Sequence, residues 1–78
     1  MTTMTCKQLA GPCEFAHHGS TVDEVIKAQD KHLKEVVAGG DERHQSALKD
    51  MKGRWRNPLA GSKWYRRAKR DFVPLPVD

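Results

Sequence analysis

The sequence predicts a small α+β domain, a β-hairpin followed by three helices in the order ββααα, on three observations. Two short stretches, residues 4–9 and 13–17, flank a turn at Ala10-Gly11-Pro12. An apolar stripe at helical spacing follows behind a capping sequence at Thr21. Beyond it, Gly39-Gly40 and Asn57-Pro58 divide the remaining chain into two further helical segments. Seventy-eight residues allow one domain, 1–78. At this size folding buries only about 60–65% of the chain's surface, so something besides the apolar core must help to hold it.

The hairpin is expected over residues 4–17, with a three-residue connection at Ala10-Gly11-Pro12. Strand alternation places Met4, Cys6 and Gln8 on one face of the first strand, and Cys13, Phe15 and His17 on one face of the second. The first helix is expected over about 21–38. Thr21 and Glu24 form a capping box, and Asp23 sits in the first turn where the helix dipole favours an acid. Its stripe is Val22, Val25, Ile26, Leu33, Val36 and Val37, and one glycine of the Gly39-Gly40 pair supplies the left-handed stop. The second helix, about 41–56, starts on Asp41 as N-cap and turns His44, Leu48, Met51 and Trp55 inward. Asn57-Pro58 ends it, and Ser62 is expected to cap a third helix over 62–72 with the stripe Tyr65, Ala68 and Phe72. Residues 73–78, with Pro74 and Pro76, read as an extended tail.

Cys6, Cys13, His32 and His44 are the candidate chemistry of the chain. His32 lies four residues before Val36 on the first helix, and His44 shares a face with Leu48 and Met51 on the second. Two helices joined by a diglycine pack their stripes together, so both imidazoles point to a shared interior, and the hairpin's apolar side covers the same interior. Two thiolates and two imidazoles form a closed tetrahedral zinc set, and the cation compensates their burial. The spacing is unlike that of a zinc finger, so the site is one assembled by the fold. The competing reading has two small buried hydrophobes and two core histidines. His17 and His18 are expected at the strand end as loop residues; alternation lets at most one of them join the site, His17 lying on the Cys13 face.

The run from Met4-Thr5-Cys6 through Gly11-Pro12-Cys13-Glu14-Phe15, then Gly19-Ser20-Thr21, Asp23-Glu24 and His32, resembles a bacterial family of short proteins of unknown function catalogued as predicted small metal-binding proteins. Gly40-Asp41-Glu42-Arg43-His44, the stretch from Trp64-Tyr65 to Phe72 and the Leu75-Pro76 ending resemble its longer members. The resemblance spans nearly the whole chain and rests on ordered landmarks. It implies a metal site using Cys6, Cys13 and His32, with His44 as the matching later histidine. His18 corresponds to a histidine in some relatives and a basic residue in others, which argues against an obligatory ligand. The chain departs from the longer relatives in its second half, which in them is Met-rich and acidic.

Here that half is basic. Residues 46–78 hold nine Lys/Arg against three Asp/Glu, whereas residues 1–45 hold five against seven. Lys52, Arg54, Arg56, Lys63, Arg66, Arg67, Lys69 and Arg70 are interleaved with Trp55, Trp64 and Tyr65. Cations neutralise phosphates and aromatic faces stack on unpaired bases, so residues 49–70 suggest contact with nucleic acid or an acidic protein. The plainer reading is a solvated set of charges on two short helices.

No apolar run is long enough to span a membrane, and the first residues have neither the basic region nor the apolar stretch of a secretory signal. A cytoplasmic location is expected on that ground, where cysteines serve as thiols or metal ligands. No Gly-rich phosphate loop, Cys-x-x-Cys pair or defensible nucleophile–base set is present, so the chain is not expected to be an enzyme. The expectation is therefore a non-enzymatic domain that binds one structural zinc. The alternatives are a metal-free basic interaction module acting through residues 49–70, and a metal buffer or sensor.

Overall fold

The computed structural model describes all 78 residues and has the expected order of elements: a two-stranded antiparallel hairpin, β1 (Thr2–Thr5) and β2 (Ala16–Gly19), then three helices. The helices are α1 (Val22–Ala38), α2 (Gln45–Arg56) and α3 (Pro58–Phe72), with a 3-10 turn, Glu42–His44, leading into α2. The register pairs Met4 with His17 and Thr5 with Ala16. No helix is long and apolar enough to cross a membrane.

The hairpin is shifted outward from its expected bounds. Residues 6–15 are not the inner halves of two strands with a tight turn but a long connection. The cause is local. Thr5 and Gln8 exchange backbone-to-side-chain hydrogen bonds, Thr5 N–H to Gln8 Oε1 at 2.8 Å and Gln8 N–H to Thr5 Oγ1 at 3.1 Å. These start a turn directly after Thr5, a competition with the sheet ladder that Thr is suited to win. The chain then winds around Cys6, whose carbonyl accepts from Leu9 N–H (3.1 Å) and Gly11 N–H (2.7 Å), with Ala10 in the left-handed region at φ 73°. Alternation still holds along β1 and into the turn, since Thr2, Met4 and Cys6 are all buried.

Helix α1 starts as expected. The Thr21 side chain accepts from Glu24 N–H at 3.3 Å, and Glu24 reaches back one residue further than in a standard capping box, accepting from Ser20 N–H at 3.1 Å. Gly40, at φ 98°, is the left-handed residue of the diglycine, and Asp41 N–H returns to Val36 O at 2.9 Å. Asp41 then caps the 3-10 turn through Arg43 N–H at 2.8 Å. The segment expected as one helix from residue 41 is thus a tight turn followed by α2.

The third helix begins at Pro58, four residues before the expected start. Asn57 is its N-cap, accepting from Leu59 N–H at 3.2 Å and Ala60 N–H at 3.3 Å, with Pro58 at the first helical position. The same dipeptide that ends α2 starts α3, so no loop separates them. The tail also departs from a free extended strand. After a turn following Phe72, Val77 bridges to Thr2, Asp78 N–H reaches Met1 O, and Thr3 Oγ1 donates to Asp78 Oδ2. The tail thereby covers the open edge of β1.

Two apolar clusters lie inside. Met4, Leu9, Val22, Val25 and Ala68 form one, closed by Ile26, Trp64, Tyr65, Phe72 and Leu75. Cys6, Leu33, Ala47 and Met51 form the other, joined by Cys13 and Leu48. The α2 stripe is inward as expected at His44, Leu48 and Met51, but not at Trp55, which is 73% exposed. One turn past Met51 the stripe has run beyond the interior, and the indole N–H donates instead to Asp30 on α1 at 3.3 Å.

Candidate metal centre

Each of the four residues reaches the second cluster from a different stretch of chain. Cys6 comes from the turn after β1, Cys13 from the far part of the same connection, His32 from the middle of α1 and His44 from the end of the 3-10 turn. Their ligand atoms all lie within 4.8 Å of one another, and both cysteines are free thiols. Cys13 Sγ is 3.4 Å from His32 Nε2 and 3.3 Å from His44 Nε2. A tetrahedral S2N2 site with ordinary zinc bond lengths has donor–donor edges of about 3.3–3.8 Å, so the two Cys13–imidazole separations already match such a site, and the whole set, within 4.8 Å, needs to close by about an ångström.

The surroundings fit the same chemistry. Both histidines present Nε2 inward. His44 Nδ1 is buried with no hydrogen-bond partner, and the Asp41 carboxylate Oδ2 lies 3.0 Å behind it. A carboxylate behind a ligating imidazole fixes its tautomer and raises its basicity. His32 is stacked on Phe15, ring centroids 4.7 Å apart and planes within 16°, and meets the edge of His44 at 5.2 Å. Gln29 bridges the cluster to the hairpin: its Nε2 donates to Cys6 Sγ at 3.1 Å and its Oε1 accepts from His17 Nε2 at 2.7 Å. Gly11 lies so close that a Cβ there would sit 2.1 Å from Cys6 Sγ and 2.8 Å from Gln29 Nε2. Any larger residue would displace the thiol.

The protonation tendencies follow from these contacts. Burial pushes the Cys6 thiol up, with the Gln29 hydrogen bond opposing it. Burial acts the same way on Cys13, but a backbone hydrogen bond from Phe15 together with His44 and Cys6 outweighs it, and that thiol lies below its ordinary value. His32 is held down by burial and by its neighbours His17 and His44. Burial would also lower His44, yet Cys13 and the adjacent Asp41 carboxylate raise it. Cys13 and His44, 3.3 Å apart, thus each favour the other's charged form.

Of the two histidines set aside as loop residues, His18 is exposed, within reach of Thr3 and Asp78. His17 is not a loop residue: it lies within β2, 4% exposed, and supports the cluster through Gln29 without supplying a ligand atom. Alternation had put it on the Cys13 side, and the shifted hairpin keeps it there. Gln29 carried a signal that the apolar stripe passed over. It stands four residues after Val25 and three before His32, a buried polar position in the stripe. The basic residues are elsewhere. Lys52, Arg56, Lys63, Arg66, Arg67, Lys69 and Arg70 are exposed on α2 and α3, and Arg54 lies over the Trp64 ring at 4.0 Å. Comparison of the chain with family models, with curated proteins and with solved structures finds no match in any of the three.

Proposed function

We propose that this chain is a non-enzymatic domain that binds one structural zinc ion through Cys6, Cys13, His32 and His44. The observation that carries the reading is the convergence of four donor atoms, two sulfurs and two imidazole nitrogens, from four separate segments to within 4.8 Å. That donor set suits zinc: borderline-soft, tetrahedral and indifferent to redox state. All four positions are protein side chains, which is the pattern of a closed structural site and leaves no place for a substrate or an activated water. When bound, the ion supplies a cross-link and compensates the charge of the buried thiolates. The chain's own residues do the rest: Gln29 orients Cys6, Asp41 orients His44, Phe15 covers His32, and Gly11 keeps the space around the sulfur open. The reading includes membership of the small metal-binding family that the sequence resembles.

The test is metal content followed by chelation. Protein purified without added chelator is expected to carry one zinc per chain, and a strong chelator is expected to abolish the cooperative thermal transition, because affinity for a structural metal is folding free energy. A metal-free protein of undiminished stability, unable to take up zinc, would refute the reading.

A further inference from the structure

One concave feature of the molecule lies outside the Cys/His cluster. A cavity of about 440 Å³ opens between α1, α2 and α3, walled by Ile26, Met51, Trp55, Trp64 and Tyr65. A volume and apolar lining of this kind are those of a ligand site. It is not simply unfinished core. Trp55 is 73% exposed and is held by its edge, the indole N–H donating to Asp30 Oδ2 at 3.3 Å, so its ring face stays open. The second oxygen of Asp30 makes no hydrogen bond within the protein.

The helices that wall the cavity carry many unpaired cations. Of the nine Lys/Arg between residues 49 and 70, Arg70 alone makes a salt bridge, to its neighbour Asp71. Arg56, although next to Trp55 in sequence, turns to the neighbouring groove of Val37, Lys49 and Lys52. Arg66 and Lys69 stand about one and two turns along α3 from Ser62, which lines the cavity, and so continue its edge. Arg54 is within the cavity, its guanidinium stacked at 4.0 Å over Trp64.

We propose that this cleft binds single-stranded nucleic acid, an unpaired base stacking on Trp55 with the phosphates following Arg66 and Lys69. Exposed aromatic faces beside unpaired cations are how proteins hold single strands. The other classes of polyanion fit less well. A duplex keeps its bases stacked and cannot offer one to the cleft, and an acidic peptide would bring its carboxylates against Asp30. For a base, Asp30 is an acceptor suited to an exocyclic amino group. The inference is independent of the zinc reading, since none of the four residues of that cluster lines the cavity.

The experiment is titration of the zinc-loaded full chain with a short mixed-sequence single strand, followed by tryptophan fluorescence and by anisotropy of the labelled strand, at several salt concentrations. The single strand is expected to quench tryptophan emission and to bind more tightly than the same sequence as a duplex. Trp55→Ala, a change at an exposed position, is expected to weaken binding by about tenfold with circular dichroism and zinc content unchanged. The double change Arg66→Gln/Lys69→Gln is expected to reduce the slope of log affinity against log salt by about 1.4. No binding at low salt overturns the proposal. So does equal affinity for single strand, duplex and polyglutamate with Trp55→Ala silent, which would show only non-specific attraction.

Discussion

At the residue scale, the Cys/His cluster is defined as much by what stands behind its four side chains as by those side chains. Gly11 is the clearest case. Its missing side chain is what allows the chain to close over Cys6 Sγ, because a Cβ would meet the sulfur at 2.1 Å. Gly11→Ala is therefore expected to lower zinc affinity by at least about tenfold and to cost about 1–3 kcal/mol in stability, read by competition with a chromophoric chelator and by denaturant unfolding. Gln29 satisfies two buried partners at once. Gln29→Leu leaves His17 and Cys6 without theirs and is expected to cost about 1–3 kcal/mol, whereas His18→Ala, at an exposed site, is expected to change stability little. Asp30 gives a pH prediction away from the metal. Burial raises its carboxyl above 3.8, with Trp55 and Arg54 opposing. A raised folded-state value favours the protonated form, so the stability Asp30 contributes is full below its unfolded-state value and is lost as pH rises through the folded one. Asp30→Asn should accordingly gain stability relative to the parent at neutral pH and lose that advantage in acid, as measured by paired denaturant titrations across the acidic range.

At the element scale, the helices follow from short capping signals and the hairpin does not. Thr21, Glu24 and the diglycine fix α1 at both ends because each satisfies backbone groups that a helix end leaves open. Asn57-Pro58 serves two helices. Its reading as a stop is sound, since the residue before proline leaves the helical region, but the same geometry is that of an N-cap followed by proline at the first position. Asn57→Ala removes the acceptor for Leu59 and Ala60 N–H and is expected to cost about 0.5–2 kcal/mol, checked by thermal unfolding, with fraying of the start of α3 seen as faster amide exchange. The strands were legible only in their faces. Alternation turns Met4, Cys6 and His17 inward as expected but fails at Gln8, which is exposed while Leu9 is buried, because the ladder has already given way to the turn. Where the ladder stops depends on the Thr5–Gln8 exchange and on the left-handed Ala10, and neither residue type announces such a turn in isolation.

At the scale of the whole molecule, the Cys/His cluster joins parts that meet in the smaller of the two apolar clusters. Nine buried hydrophobic residues divide into two clusters, and the one that includes Cys6 is the smaller. The four ligands link the 6–15 connection, α1 and the entrance to α2, the same span that a thin core leaves weakest. Single replacement of Cys6, Cys13, His32 or His44 by Ala is expected to impair zinc retention and lower the melting temperature in every case, by more than replacement of Lys52 or Lys63 on the exposed faces of α2 and α3. Inductively coupled plasma mass spectrometry alongside calorimetry would read both quantities. Arg54 over Trp64 and Trp55 against Asp30 show that the basic half is also built, with aromatic rings placed by contacts outside the core.

The sequence by itself determined the class of the fold, the order of its elements, the ends of α1 and the four residues that meet. These rest on periodicity, capping chemistry and side-chain type, which act over a few neighbouring positions and are written there. Only the tertiary structure decided that the cysteines sit on a wound connection and not on strands, that His17 works through Gln29, that Trp55 faces outward and that the tail returns to Thr2. Each of these turns on a partner far along the chain, and a polar or aromatic side chain takes its role from whichever partner the fold brings within reach.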